Sequence, residues 1–80
     1  MNPRVKHVLP GNDFTLKLIF SNDEKKVFDV KPYLNFGIFS ALKNPDIFNS
    51  VKVSCGTVVW ENGLDICPDT LYLESSGTSN

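Results

Sequence analysis

Eighty residues make one domain, and a chain this short buries only about 60% of the surface its unfolded form exposes, which leaves little room for both a core and a deep pocket. Hydrophobic residues at 41% exclude a disordered chain, and a formal net charge of −1 excludes a global field that would draw in nucleic acid or an anionic membrane. The charge is nevertheless split: up to Lys52 eight basic residues face five acidic ones, a net of +3, while from Val53 onward there are only Glu61, Asp65, Asp69 and Glu74, a net of −4.

The N-terminus carries no apolar signal-like region, and no apolar run approaches the roughly 18 residues needed to span a bilayer, so a cytoplasmic location off the membrane is expected. Cys55 and Cys67 fit that compartment as small buried hydrophobes rather than a disulfide.

Arg4 to Leu9 reads as a first strand, ended by the turn cluster Pro10-Gly11-Asn12-Asp13. The clearest strand follows, with Phe14, Leu16, Leu18 and Phe20 on one face and Thr15, Lys17 and Ile19 on the other. Ser21-Asn22-Asp23-Glu24 turns the chain, and Lys25 to Val30 returns antiparallel with Phe28 and Val30 inward and Asp29 outward, completing a three-stranded meander. The period then changes. Pro32-Tyr33-Leu34 opens a helical turn that Gly37 is expected to end, and Ile38, Phe39 and Leu42 follow at helical spacing. In Asn44-Pro45-Asp46, asparagine caps a short helix, proline takes its first position and the carboxylate faces the positive end of the dipole. Pieces this short are unstable alone, so their apolar residues are expected to lie on the sheet.

Strands resume at Val51 to Ser54, Thr57 to Trp60 and Leu64 to Ile66. A three-residue loop through Glu61, Asn62 and Gly63 sets Trp60 opposite Leu64 and Val58 opposite Ile66, gathering the large apolar residues on one face; a two-residue loop would scatter them. The preferred register requires Gly63 to be left-handed. Cys67-Pro68-Asp69 opens a last helical turn that buries Leu71 and Tyr72. The predicted fold is therefore α+β, a small, mainly antiparallel sheet with an N-terminal three-stranded meander and a C-terminal hairpin, and short helices packed on it. One domain is expected over residues 1–74, with a disordered tail over 75–80.

The run Phe28-Asp29-Val30, Pro32, Leu34, Gly37-Ile38-Phe39, Leu42, Pro45 and Phe48, then Trp60-Glu61-Asn62-Gly63, Asp65 and Pro68-Asp69-Thr70-Leu71-Tyr72, resembles the bacterial family catalogued as domain of unknown function 2442. The likeness covers about residues 3 to 74. Glu61 departs from the proline common there, and either residue suits that turn position. The resemblance implies a compact α+β domain without an established activity. Some members look fused to a helix-turn-helix domain, and others sit beside a second small protein in pairs that look like toxin and antitoxin.

Chemistry-bearing residues are sparse. His7, Cys55 and Cys67 are the only soft metal ligands and lack zinc-site spacing, while Asp65 and Asp69 straddle Pro68, so neither a metal nor a cofactor is expected. A Cys–His nucleophile would need an orienting group and an oxyanion site that no motif supplies, and there is no glycine-rich phosphate loop; an enzyme is not expected. Arg4, Lys6 and Lys17 are the candidate nucleic-acid contacts, too few for binding alone. Trp60, Glu61, Asp65, Asp69 and Tyr72 are the candidate protein-binding residues, Trp60 and Tyr72 serving equally well as core. The expected role is a non-catalytic interaction or regulatory domain, an antitoxin-like partner of a co-encoded small protein, with a homodimer as a further option. The alternative is a DNA-associated accessory domain of a transcriptional regulator.

Overall fold

The computed structural model describes residues 2–77. Its first unit is the meander: β1 (Val5–Pro10), β2 (Thr15–Phe20) and β3 (Lys25–Asp29), antiparallel throughout. The alternation in β2 places Leu16, Leu18 and Phe20 in the core, joined by Phe28 and Val30. Phe14 does not extend the strand as its spacing suggested. It takes φ = 60°, an uncommon backbone for a bulky residue, and turns its ring edge-on to Phe48 at 5.3 Å.

The middle segment is tighter than the helical spacing implied. Lys31–Tyr33 and Gly37–Lys43 are 3₁₀ helices, the first with Pro32 near its start. Gly37 begins the second helix instead of ending the first. At three residues per turn, Phe39 and Leu42 eclipse one another and face inward, while Ile38 is 69% exposed; the expectation that Ile38 lies on the sheet is corrected by that geometry. Helix α1 (Pro45–Phe48) forms as read, with the Asn44 side chain accepting the Asp46 N–H at 3.0 Å.

The strands that follow form a second sheet, in the order β4 (Lys52–Ser54), β5 (Thr57–Val59) and β6 (Asp65–Ile66). Cys55 and Gly56, at φ = 53° and 80°, make the two-residue turn between β4 and β5. The β5–β6 register is the one that packing required. Val58 pairs with Ile66, Val59 with Asp65, and the Trp60 N–H donates to the Leu64 carbonyl at 2.9 Å, with Gly63 at φ = 88°. The sheets are tied where the Val5 N–H reaches the Gly56 carbonyl at 2.9 Å.

Helix α2 (Pro68–Glu74) buries Leu71 and half-buries Tyr72. The chain then returns to the first sheet. β7 (Ser76–Gly77) pairs with Lys26 and Val27, giving the order β1-β2-β3-β7. Ser76 and Gly77, within the expected disordered tail, are thus strand, because the open edge of β3 offers backbone partners that need no apolar anchor; residues 78–80 lie outside the described residues. The cysteines are free but exposed, where burial was expected: Cys55 lies at a hairpin tip, with φ = 53°, and Cys67 just before α2.

Candidate interaction surfaces

Trp60 is 2% exposed, packs beside Phe48 and donates its indole N–H to the Phe48 carbonyl at 3.1 Å. It is a core residue, and its candidacy as a surface anchor is corrected: the register that gathers the apolar residues also takes Trp60 inward. Tyr72 is half-buried and held. Its hydroxyl donates to Glu24, its ring meets Phe20 edge-on at 5.1 Å, and the Lys26 ammonium sits 4.0 Å above the ring centre. The other three candidates reach solvent. Glu61 lies in the β5–β6 turn, Asp65 on the outer face of β6 beside Val59, and Asp69 in the first turn of α2, where it accepts from the Asn2 side chain at 3.3 Å. Glu74, at the other end of α2, accepts the Tyr33 hydroxyl at 2.7 Å.

The three basic candidates do not converge. Arg4 folds its side chain over Gly56 and reaches the Cys55 carbonyl at 3.5 Å, and Lys6 pairs with Asp23 at 3.1 Å. Lys17 stands on the outer face of β2, between Leu9 and Val27.

Hydrogen bonds set the electrostatics of the polar clusters. The Tyr72 hydroxyl, with Asn22, holds the Glu24 carboxyl below its ordinary pKa, and the Thr15 hydroxyl does the same for Asp13. The reciprocal bonds raise the phenols: Glu24 raises Tyr72, and Glu74 raises Tyr33. His7 is exposed on β1, and the described residues contain no group of three or more His, Cys, Asp or Glu side chains that could hold a metal. A depression of about 120 Å³ between the β1–β2 turn and α1 is lined by Gly11, Asn12, Phe14, Pro45, Phe48 and Asn49, with no titratable group. No helix among the described residues is long and apolar enough to cross a membrane.

What sequence reasoning missed is apolar surface. Leu9 is 66% exposed, Phe36 59% and Leu73 69%, in addition to Ile38. Tyr33 links the helical part of this surface: its ring lies 6.1 Å from Phe36 and 5.8 Å from Phe39, and its hydroxyl meets Glu74, the neighbour of Leu73. The adjacency of Phe36, Gly37 and Ile38 was the available signal, since an apolar pair astride a glycine cannot both turn inward in a tight helix.

Neither curated proteins nor solved structures gave a match to the chain. The family model described as "Protein of unknown function (DUF2442)" matches residues 5–77, nearly the whole chain. The chain, an α+β domain, therefore belongs to that family.

Proposed function

We propose that this domain is a non-catalytic interaction module, the regulatory, antitoxin-like partner of a protein encoded beside it. The observation that carries the reading is the exposure of large apolar side chains: Phe36, whose ring lies 6.1 Å from that of Tyr33, Ile38 two residues further on, and Leu73 on α2. A small domain gains nothing by leaving such side chains in water, and protein contact would cover them. The rigid scaffold beneath them, with Tyr33 stacked at 5.5 Å on buried Phe28, suits a preformed anchor.

Co-expression with the product of each neighbouring gene, followed by calorimetry on the purified pair, tests the reading. Phe36→Ser with Ile38→Ser is expected to weaken the complex by about tenfold or more, while each change shifts stability by no more than about 0.5 kcal/mol. A partner that binds the double variant as tightly as the parent chain would move the contact elsewhere, and failure of every neighbour to bind would remove the reading. The DNA-associated alternative has less support: phosphate binding needs several cations in one patch, and Arg4 and Lys6 are engaged at separate places from Lys17.

A further inference from the structure

We infer that the outer edge of β3 is a self-association site, at which a second copy of this chain adds its own β3, antiparallel, about a twofold axis through Val27, and that β7 is the cover this pairing displaces. The inference goes beyond the partner reading above and does not depend on it. The backbone fixes which groups the edge offers. The Phe20 N–H reaches the Glu24 carbonyl and the Val30 N–H the Phe14 carbonyl, both at 2.9 Å, so the even-numbered residues of β3 bond to β2. Lys25, Val27 and Asp29 alternate with them and aim their N–H and C=O groups at the outer edge. There β7 pairs Gly77 with Lys26 and Ser76 with Val27; both of its residues are exposed and neither brings an apolar side chain. Helix α2 keeps its place without them, since Leu71 is buried, the Tyr72 hydroxyl donates to Glu24 and the Tyr33 hydroxyl donates to Glu74.

The two sides of the meander are built differently. β1 is blunted by the register shift between Val5 and His7 and by Pro10, devices that discourage pairing, whereas β3 has no proline and no shift against β2. β7 shows that the β3 edge takes an antiparallel strand. Against a second β3, hydrogen bonds form where outward residues face outward residues, which leaves few twofold registers. An axis at Lys25, Lys26 or Asp29 sets like charges directly opposite one another, and one at Phe28 leaves Lys25 and Lys26 beyond the paired strand. An axis at Val27 pairs all five residues: Lys25 with Asp29, Lys26 with Phe28 and Val27 with its own copy. That ladder makes about six hydrogen bonds, against about two in each β7 it displaces. No like charges meet, and the outer row of Leu9, Lys17 and Val27 runs on into its copy through an apolar Val27 pair. The backbone and the register carry the argument, and charge only selects among registers.

Sedimentation velocity of the full chain, from micromolar to millimolar concentration, tests the inference. The chain is expected to show a reversible monomer–dimer equilibrium. Ser76→Pro removes the N–H that β7 gives to Val27 and leaves β3 intact, so it is expected to tighten dimerisation about tenfold. Lys25→Glu sets carboxylate against carboxylate and is expected to weaken it about tenfold, and Lys25→Glu with Asp29→Lys to restore it, each with its unfolding midpoint checked. In a mixture of isotope-labelled and unlabelled parent chains, isotope-filtered NMR is expected to show contacts between Val27 and its copy; this reading needs no variant, so it decides the matter even where a substitution prevents folding. A chain that stays monomeric at millimolar concentration, both as the parent and as Ser76→Pro, overturns the inference. So does a dimer that the charge exchange fails to restore, or one whose contacts centre on Phe36 and Ile38.

Discussion

Gly56 and Gly63 have nearly the same backbone and different surroundings, so they separate conformational strain from crowding. Both have positive φ, 80° and 88°. A Cβ at Gly63 meets nothing within 4 Å, so Gly63→Ala costs only the left-handed strain, about 1–2 kcal/mol, with Gly63→Val at the upper end. A Cβ at Gly56 would lie 2.6 Å from Cδ, 3.0 Å from Cβ and 3.2 Å from Cγ of Arg4. The Cδ can swing away, but the Arg4 Cβ is fixed by a backbone that accepts the Ser21 N–H at 2.7 Å and leads into the Val5–Gly56 bond. Relieving the clash therefore strains the junction of the two sheets, which adds about 1–2 kcal/mol of overpacking and brings Gly56→Ala to about 2–4 kcal/mol. Arg4→Ala in the same chain removes the Cγ and Cδ contacts and should recover about 1 kcal/mol as a coupling energy. Urea unfolding followed by Trp60 fluorescence and far-ultraviolet circular dichroism measures these variants, and Arg4→Ala alone to close the cycle, at constant m-value. Gly56→Ala no more destabilising than Gly63→Ala, or no recovery on removing Arg4, would refute the argument that the sheets are clamped at this turn.

Trp60→Phe deletes the donor to the buried Phe48 carbonyl and part of the core volume, and is expected to cost about 2–4 kcal/mol; circular dichroism follows its unfolding, and a loss below about 1 kcal/mol would contradict the core placement. The pH dependence of stability should show two limbs. Glu24 has an ordinary pKa of 4.5 and is lowered in the fold, so its contribution is present above that value and disappears as pH falls through the lower folded value. Tyr72 has an ordinary pKa of 10.0 and is raised, so its contribution is present below that value and disappears as pH rises through the folded one. The two shifts arise from one shared contact, so Tyr72→Phe and Glu24→Gln should each flatten both limbs, as read from unfolding midpoints across pH. Both cysteines should react with iodoacetamide in the native protein at rates close to those in urea, and intact-mass spectrometry showing one of them protected would contradict their exposure.

The parts of the fold legible in the sequence are those in which one segment decides its own conformation. Leu16, Leu18 and Phe20 alternate so strictly that β2 has a single inward face, and Asn44-Pro45-Asp46 specifies a cap, a first turn and a dipole contact within three residues. The β5–β6 register was also legible, because only one loop length places Trp60 opposite Leu64. The 3₁₀ character of Gly37–Lys43 was not. Phe39 and Leu42 satisfy both helical periods, and only the position of Ile38 tells them apart. Nor was β7: Ser76 and Gly77 have no strand propensity of their own and pair because α2 delivers them to a free edge. Among the candidate site residues, the sequence located Glu61, Asp65 and Asp69 at the surface but could not decide Trp60, since an aromatic anchor and an aromatic core residue look alike until the sheet is built.

The apolar outer face was hidden for a more specific reason. No strand shows more than one large aliphatic residue there: Leu9 comes from β1, Ile19 from β2 and Val27 from β3, and only pairing brings them together. In β1 even the side is unreadable from alternation, since strict alternation puts Val5, His7 and Leu9 on one face. The register shift between Val5 and His7 breaks that pattern. With the extra residue at the bulge, Val5 stays opposite inward Phe20, and Val8 moves opposite inward Leu18. His7 and Leu9 turn outward against Ile19 and Lys17. A regular strand that kept Val5 inward would take His7 as well as Leu9 to the core side and Val8 to solvent, burying an imidazole beside Phe20 and Leu18. The bulge at Lys6 keeps that polar ring out of the core while leaving Val5 and Val8 inward, and its consequence is that Leu9 stands beside Lys17 on the outer face.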